Sequence, residues 1–273
     1  MSEVPVLTEG GARIRAAFAE AGRPLFMPYV MGGFPDIEAS AQFAAALAPH
    51  ADLIELGIPF SDPLADGPTI QAAGQRALDA GTRPEQVIDI AARLRGGPPV
   101  VLMTYVNVIL AMGTRAFMER AAAAGVAGVI IPDVPVDEGD TMRSEARRAG
   151  LAIIPLAAPT TSDERLEAIG REAEGFVYCV SVAGVTGGDV AVGEMLKGFL
   201  NRARAVTDAP LAVGFGIRTP DQVTAVGRIA DGVIVASELI RRIDDAPDRA
   251  AAIAEITAFA RGAQAALGRG RAG

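Results

Sequence analysis

The sequence predicts an α/β protein with the architecture of a (β/α)8 barrel, or TIM barrel. Short apolar runs typical of strands alternate with Ala-rich stretches typical of helices eight times along the 273 residues, which suits this architecture in both repeat number and length. Half of the residues are apolar, so the chain has enough material for one continuous core. Because no Ser/Pro-rich linker divides it, we expect a single domain over residues 1–273, with a core from about 10 to 265 and a frayed C-terminal tail.

The predicted strands are short apolar runs bounded by Gly, Pro, Asp or Ser, a pattern typical of strands buried in a parallel sheet. Eight are expected, at residues 25–30, 52–56, 99–104, 128–132, 152–156, 175–181, 210–214 and 232–236.

The predicted helices are the Ala-rich stretches between these strands. The first, at residues 9–21, precedes the first strand and is therefore an extra N-terminal helix that could close the bottom of the barrel. The others are expected at residues 37–48, 69–80, 115–124, 138–149, 163–171, 193–206 and 220–226, with one more at 84–95.

Composition excludes several classes of function. The net charge is −8 and no Lys/Arg stripe is interleaved with aromatic residues, which argues against nucleic-acid binding. One cysteine and one histidine leave no cluster for zinc and no His-based nucleophile triad. The N-terminus has no secretory signal pattern, so we expect a cytoplasmic protein. The longest uncharged stretch, residues 96–114, contains prolines and Tyr105 and is interpreted as strand and loop, not as a membrane helix.

The strand at residues 52–56 carries the first candidate catalytic group, Glu55. In a strand, Leu53 and Glu55 share one face while the next residues take the other face. A carboxyl group among aliphatic side chains loses hydration, and its pKa rises toward the range useful for acid-base catalysis near neutral pH. The alternative is an edge-strand glutamate without a chemical role. Asp62 and Asp66 follow in the Gly/Pro-rich loop, where Asp66 before Gly67 is also compatible with simple turn chemistry.

Three loops, two of them rich in glycine, predict a phosphate site. They follow the sixth, seventh and eighth strands, at residues 184–188, 214–216 and 236–237, where Ser237 begins a short helix. In barrels the carboxyl ends of the strands carry the site, and backbone N–H groups together with a helix N-terminus hold a phosphate there. Each glycine alone is ordinary turn chemistry. The three loops together predict a phosphorylated metabolite as ligand.

The run LIELGIPFSDPLADGPTIQ at residues 53–71 resembles the signature of the tryptophan synthase alpha subunit. Further similarities lie at residues 28–36, 103–107, 132–136, 184–187 and 214–217. The resemblance implies retro-aldol cleavage of indole-3-glycerol phosphate into indole and glyceraldehyde 3-phosphate, a carbon–carbon lyase reaction of tryptophan biosynthesis that needs no metal or organic cofactor.

The resemblance also implies roles for individual residues. Glu55 is the expected acid-base and Asp66 the acceptor of the indole N–H; both are catalytic. The expected substrate-positioning residues are Phe26, Tyr105, Tyr178 and Thr186, the last by ordering its loop against Asp66; the three aromatic residues are equally compatible with packing. The expected phosphate-binding residues are Gly187, Phe215, Gly216, Ala236 and Ser237.

The family works as an alpha-beta-beta-alpha heterotetramer in which indole passes to a pyridoxal-phosphate-dependent beta subunit. The resemblance therefore implies a beta-subunit partner, with Asp62 and Pro63 at the interface; the alternative for Asp62 is a solvated loop acid. Three residues depart from the commoner pattern: Ala236 replaces a glycine, Met31 a threonine and Val182 an arginine found in some members. A methyl group at Ala236 could crowd the phosphate.

Two other functions remain compatible with the sequence. One is a regulatory alpha-like subunit with weak activity; the other is a free-standing indole-3-glycerol phosphate lyase that releases indole. The presence of both Glu55 and Asp66 favours catalysis over regulation.

Overall fold

A computed structural model describes residues 7–180, 190–214 and 216–268, apart from the side chains of residues 190–192. In this part of the chain the strands are β1 Leu25–Met31, β2 Ile54–Gly57, β3 Val100–Met103, β4 Gly128–Ile130, β5 Ala152–Ile154, β6 Leu156–Ala157, β7 Val177–Val180, β8 Leu211–Gly214 and β9 Gly232–Val235. They form one parallel sheet in the order β5-β4-β3-β2-β1-β9-β8-β7-β6. The predicted (β/α)8 barrel is confirmed.

Strand five of the barrel is divided into β5 and β6 by Pro155, which has no N–H to donate to a ladder. The carbonyl of Pro155 still accepts a hydrogen bond of 2.9 Å from the nitrogen of Tyr178. The two ends of the sheet are therefore the two halves of one predicted strand, and they close the barrel.

The helices are α1 Glu9–Ala21, α2 Ile37–Leu47, α3 Pro68–Asp79, α4 Pro84–Arg93, α5 Val106–Met112, α6 Thr114–Ala123, α7 Asp140–Arg148, α8 Asp163–Glu172, α9 Val190–Arg204, α10 Pro220–Gly227, α11 Ser237–Asp245 and α12 Arg249–Gly268. A short 3-10 turn, Ala48–His50, follows α2. Two helices are absent from the sequence-based prediction. Helix α5 lies in the stretch interpreted as strand and loop, and α12 lies beyond the last predicted element. No helix among the residues described is long and apolar enough to cross a membrane.

Strand alternation divides the core into two layers. Side chains directed into the barrel include Leu25, Met27 and Leu53, and those directed toward the helices include Ile54 and Leu56. The predicted division of faces on β2 is confirmed, because Leu53 packs inside the barrel while Ile54 and Leu56 pack in the outer layer against the helices.

Helix α1 closes the amino-terminal end of the barrel, as expected. Thr8 caps the helix by accepting a 3.0 Å hydrogen bond from the nitrogen of Gly11, and Ile14 is fully buried in the inner layer. With that end filled, the carboxyl ends of the strands are left for the site.

Candidate active site

Glu55 lies on β2 with its side chain in the barrel interior. Its Cα is paired with that of Tyr29 on β1 and that of Val101 on β3. The side chain is 1% exposed, and neither carboxylate oxygen has a hydrogen-bond partner among the described residues. Burial and, to a smaller extent, the nearby charge of Asp66 raise the pKa of Glu55 from its ordinary value of 4.5 to about 8. The group is therefore protonated at neutral pH, and no described residue holds that proton away from a ligand.

Asp66 lies in the loop between β2 and α3, one residue before Gly67, which caps α3. Burial raises the pKa of Asp66 and the hydroxyl of Tyr105 lowers it, and the net effect is a rise from 3.8 to about 6. Asp66 is thus ionised at neutral pH where Glu55 is protonated. Two acids with separated pKa values can act as a proton donor and a charge stabiliser in the same reaction.

Tyr105 fixes the loop that carries Asp66. Its hydroxyl oxygen accepts a 3.0 Å hydrogen bond from the nitrogen of Ala65, and its ring stacks on Phe60 with the centroids 5.1 Å apart. Burial and the charge of Asp66 raise the pKa of Tyr105, so the phenol stays neutral and can donate to the carboxylate.

Tyr178 faces the two acids from β7. Burial raises its pKa well above 10, and the charges of Glu55 and Asp66 add to the rise. A Cβ at Gly214 would lie 2.3 Å from the hydroxyl oxygen of Tyr178, so only glycine on β8 leaves room for this phenol. The structure brings Tyr105 and Tyr178 to the same end of the barrel as Glu55 and Asp66.

Phe26 does not lie at the site, and the expectation that it walls the substrate slot is wrong. Leu25 and Met27 point into the barrel, so alternation turns Phe26 outward. Its ring is fully buried against Phe259 of α12, with centroids 6.4 Å apart. The aromatic residue of β1 that does reach the mouth is Tyr29, which sequence reasoning missed. Alternation places Tyr29 on the same face as Leu25 and Met27, but because β1 is buried on both faces the sequence carries no signal that this face is the inner one.

The residues expected to bind phosphate are only partly within the described chain. Gly216 has a φ of +65°, a conformation that favours glycine, and follows β8. Ala236 caps α11 and Ser237 is its first residue, so the free N–H groups of that helix begin there. Thr186, Gly187 and Phe215 lie outside the described residues.

The segment expected at a partner interface is exposed. Asp62 is exposed and Pro63 is partly exposed. The carboxylate of Asp62 makes no ion pair among the residues described. Next to them Leu64 is 93% exposed, which is unusual for a large apolar side chain.

A cavity of about 490 Å³ opens beside the mouth, between the ends of β4 to β6 and helices α7 and α8. Neither Glu55 nor Asp66 lines it. Among the described residues no group of three or more His, Cys, Asp and Glu side chains is placed to hold a metal ion. Within the described part of the chain, the titratable side chains that come together at the mouth are therefore those of Glu55, Asp66, Tyr105 and Tyr178.

The sequence profile of the family described as "Tryptophan synthase alpha chain" matches residues 16–267. The chain belongs to the tryptophan synthase alpha chain family. Tryptophan synthase alpha chains are lyases that cleave indole-3-glycerol phosphate, and the chain is an enzyme of this type in tryptophan biosynthesis.

Individual relatives agree with this assignment. The tryptophan synthase alpha chain of Carboxydothermus hydrogenoformans is 47% identical over 240 residues, covering 86% of this chain and 90% of that protein. That of Gloeobacter violaceus is also 47% identical, over 234 residues, covering 84% and 85%. The crystal structure of the Legionella pneumophila tryptophan synthase alpha chain is 32% identical and has a TM-score of 0.87, covering 98% of this chain and 100% of that one. A chain of tryptophan synthase from M. tuberculosis is 33% identical with a TM-score of 0.86, covering 96% and 99%.

Proposed function

We propose that Glu55 is the principal acid-base of indole-3-glycerol phosphate cleavage. The observation that carries this is a carboxyl group buried at the barrel mouth, protonated at neutral pH, with no hydrogen-bond partner in the described part of the chain. Glu55 gives its proton to C3 of the indole ring. The resulting carboxylate then assists removal of the proton from the glycerol hydroxyl next to C3. The bond from C3 to the glycerol carbon breaks, its electrons return to the ring, and indole and glyceraldehyde 3-phosphate leave.

Asp66 acts as the ionised partner. Protonation at C3 places positive charge on the ring, and this charge is shared by the indole N–H. A carboxylate that accepts the N–H hydrogen bond stabilises that charge most in the transition state. The Tyr105 hydroxyl supports this role because it lowers the pKa of Asp66 and so favours the ionised form. Tyr178 positions the substrate from the opposite strand, and Thr186 orders its loop against Asp66.

The phosphate of the substrate binds at Gly187, Phe215, Gly216, Ala236 and Ser237. Support comes from the positive φ of Gly216, which suits a close backbone approach, and from Ser237 at the first turn of α11. Backbone N–H groups at such a position hold an anion without a basic side chain.

A tryptophan synthase beta subunit is the partner, in an alpha-beta-beta-alpha heterotetramer. The exposed segment Asp62, Pro63 and Leu64 supports this, because a large apolar side chain left in water next to an acid fits a docking surface. The same loop ends at Asp66, so docking and chemistry are covalently connected over four residues. A cytoplasmic location is part of the proposal, as befits amino-acid biosynthesis; fractionation of expressing cells tests it.

The test is indole release from indole-3-glycerol phosphate by the purified chain, alone and with its beta subunit. Slow cleavage that the partner strongly stimulates supports the synthase subunit. Fast cleavage without the partner supports a free-standing lyase. If no cleavage occurs in either case, the carboxylate assignment is wrong and a regulatory subunit becomes the better description.

A further inference from the structure

Tyr29 occupies the strand between the two halves of the site. On one side its Cα is paired with that of Glu55 on β2. On the other side the last pair of β1 with β9 is Pro28 with Val235, so Ala236 is the next residue alongside Tyr29. One aromatic side chain therefore lies between the proposed acid-base and the proposed phosphate loop.

The ring of Tyr29 fits over Gly57. A Cβ built at Gly57 would lie 1.9 Å from the hydroxyl oxygen and 2.5 Å from Cζ of Tyr29. Gly57 is the next inward-facing position after Glu55 along β2, in the direction of the mouth. The phenol therefore lies across the mouth side of Glu55, and it is itself only 3% exposed.

The ring is held mainly by packing. The hydroxyl donates to Sδ of Met31 at 3.7 Å, and a thioether is a weak acceptor. Tyr29 and Met31 belong to a buried apolar cluster with Ile240 of α11, and Ala236 packs against that cluster. Two residues that depart from the commoner family pattern, Met31 and Ala236, thus both contribute to the surroundings of Tyr29.

We propose that Tyr29 is a positioning residue whose ring keeps water from Glu55, with Gly57 providing the space for the ring and the methyl group of Ala236 supporting it. The methyl group then serves the interior cluster, while the backbone of Ala236 remains free for phosphate. This proposal rests on the proposed role of Glu55 and specifies what keeps that group protonated.

Water exclusion is the main cause of the high pKa of Glu55, and the charge of Asp66 is the second. The other titratable groups that face this pair are Tyr29 on β1, Tyr105 after β3 and Tyr178 on β7, all phenols with raised pKa values. None of these carries a charge at neutral pH. Removing the cover over Glu55 is therefore expected to lower its titration midpoint.

The first test is a carbon-13 NMR titration of Glu55 in the free protein, with carboxyl-labelled glutamate and with Glu55→Gln to assign the signal. Tyr29→Ala removes the ring, and Tyr29→Phe keeps it as the matched control. We expect Tyr29→Ala to lower the Glu55 midpoint by about 1 unit or more, a fraction of the shift of 3 to 5 units that full burial produces. Tyr29→Phe should leave the midpoint within titration error. An unchanged midpoint in Tyr29→Ala, or an equal fall in both variants, overturns the proposal. Tyr29→Leu replaces Tyr29→Ala if the latter does not fold.

The second test separates support of Tyr29 from crowding of phosphate. If Ala236 supports the ring, Ala236→Gly shifts the Glu55 midpoint and the pH profile of kcat downward and changes KM little. If its methyl group instead crowds phosphate, Ala236→Gly lowers KM and leaves both midpoints in place, which contradicts the proposed support. The NMR midpoint needs no turnover. If the Glu55 midpoint falls in Tyr29→Ala but not in Tyr29→Phe, and the wild-type protein does not cleave indole-3-glycerol phosphate, the proposed function is rejected and this inference is kept.

Discussion

The hydroxyl oxygen of Tyr105 accepts a 3.0 Å hydrogen bond from the nitrogen of Ala65, the residue before Asp66. The same hydroxyl lowers the pKa of Asp66. Tyr105 lies two residues after the end of β3, so the loop after β2 is held to the neighbouring strand at the residue next to Asp66. The side chain of Tyr105 therefore fixes the loop that positions Asp66 and also favours the ionised form of that carboxyl group.

Tyr105→Phe removes the hydroxyl that anchors Ala65 and keeps the ring that stacks on Phe60. Because that hydroxyl lowers the pKa of Asp66, the pKa should rise in the variant, and the acid limb of the kcat/KM profile should move to higher pH. Loss of the anchor together with a less ionised Asp66 should lower kcat/KM at neutral pH by at least about tenfold. Steady-state kinetics from pH 5 to 9 measure both effects. An unmoved acid limb would contradict the contact.

The pH dependence of the wild type follows from the two acids. The active form holds Glu55 protonated and Asp66 ionised, and these states coexist between about pH 6 and about pH 8. The kcat/KM profile should therefore be bell-shaped, with limbs near those values that belong to the coupled pair. A rate that rises continuously through pH 9 would mean that Glu55 acts only as a base.

The buried acid also links stability to pH. The pKa of Glu55 is about 8 in the folded chain and 4.5 ordinarily, so between these values the folded state retains a proton that the unfolded state loses. The contribution of Glu55 to the free energy of unfolding thus falls as pH rises through this window, by about 1.4 kcal/mol per unit of pH, and is constant below it.

Urea unfolding of the wild type and of Glu55→Gln at pH 5 and pH 8 measures this contribution. The amide does not titrate, so the variant should gain stability relative to the wild type between the two pH values. A difference in free energy of unfolding that is the same at both pH values would place the pKa of Glu55 near its ordinary value.

Leu64 is the expected apolar contact of the beta subunit. Leu64→Asp should weaken co-elution with that subunit by at least about tenfold and reduce its stimulation of indole release, because a charge replaces an apolar anchor. Met195→Asp, at another exposed apolar residue on α9, is the matched control. Equal binding by wild type and Leu64→Asp would place the interface elsewhere.

Strand alternation accounts for what the sequence predicts well and for what it misses. Alternation gives which neighbours share a face with Glu55, and the carboxyl group itself marks that face of β2 as the one with a chemical role. Strand β1 is buried on both faces, so its pattern does not say which parity faces the barrel axis. The sequence therefore predicts Phe26 at the site and does not indicate Tyr29. The inward direction becomes visible only when Leu25 and Met27 are found against Ile14 of α1.

Helix α5 and the division of strand five are missed for equally local reasons. Helix α5 is a seven-residue uncharged helix without a side-chain cap, so neither charge periodicity nor a capping residue marks it. Strand five is divided because Pro155 cannot donate to the ladder, which a count of apolar runs does not register. The single-domain organisation and the roles of the individual site residues stay predictions.

The most direct test of the acid-base assignment is indole release by Glu55→Gln, measured with and without the beta subunit and compared with Glu167→Gln, which changes an exposed glutamate on α8. The amide keeps the size of the side chain but cannot transfer a proton, so release should fall by at least about a hundredfold in Glu55→Gln and stay at the wild-type rate in Glu167→Gln. Undiminished release by a folded Glu55→Gln protein would contradict the assignment of Glu55 as the acid-base.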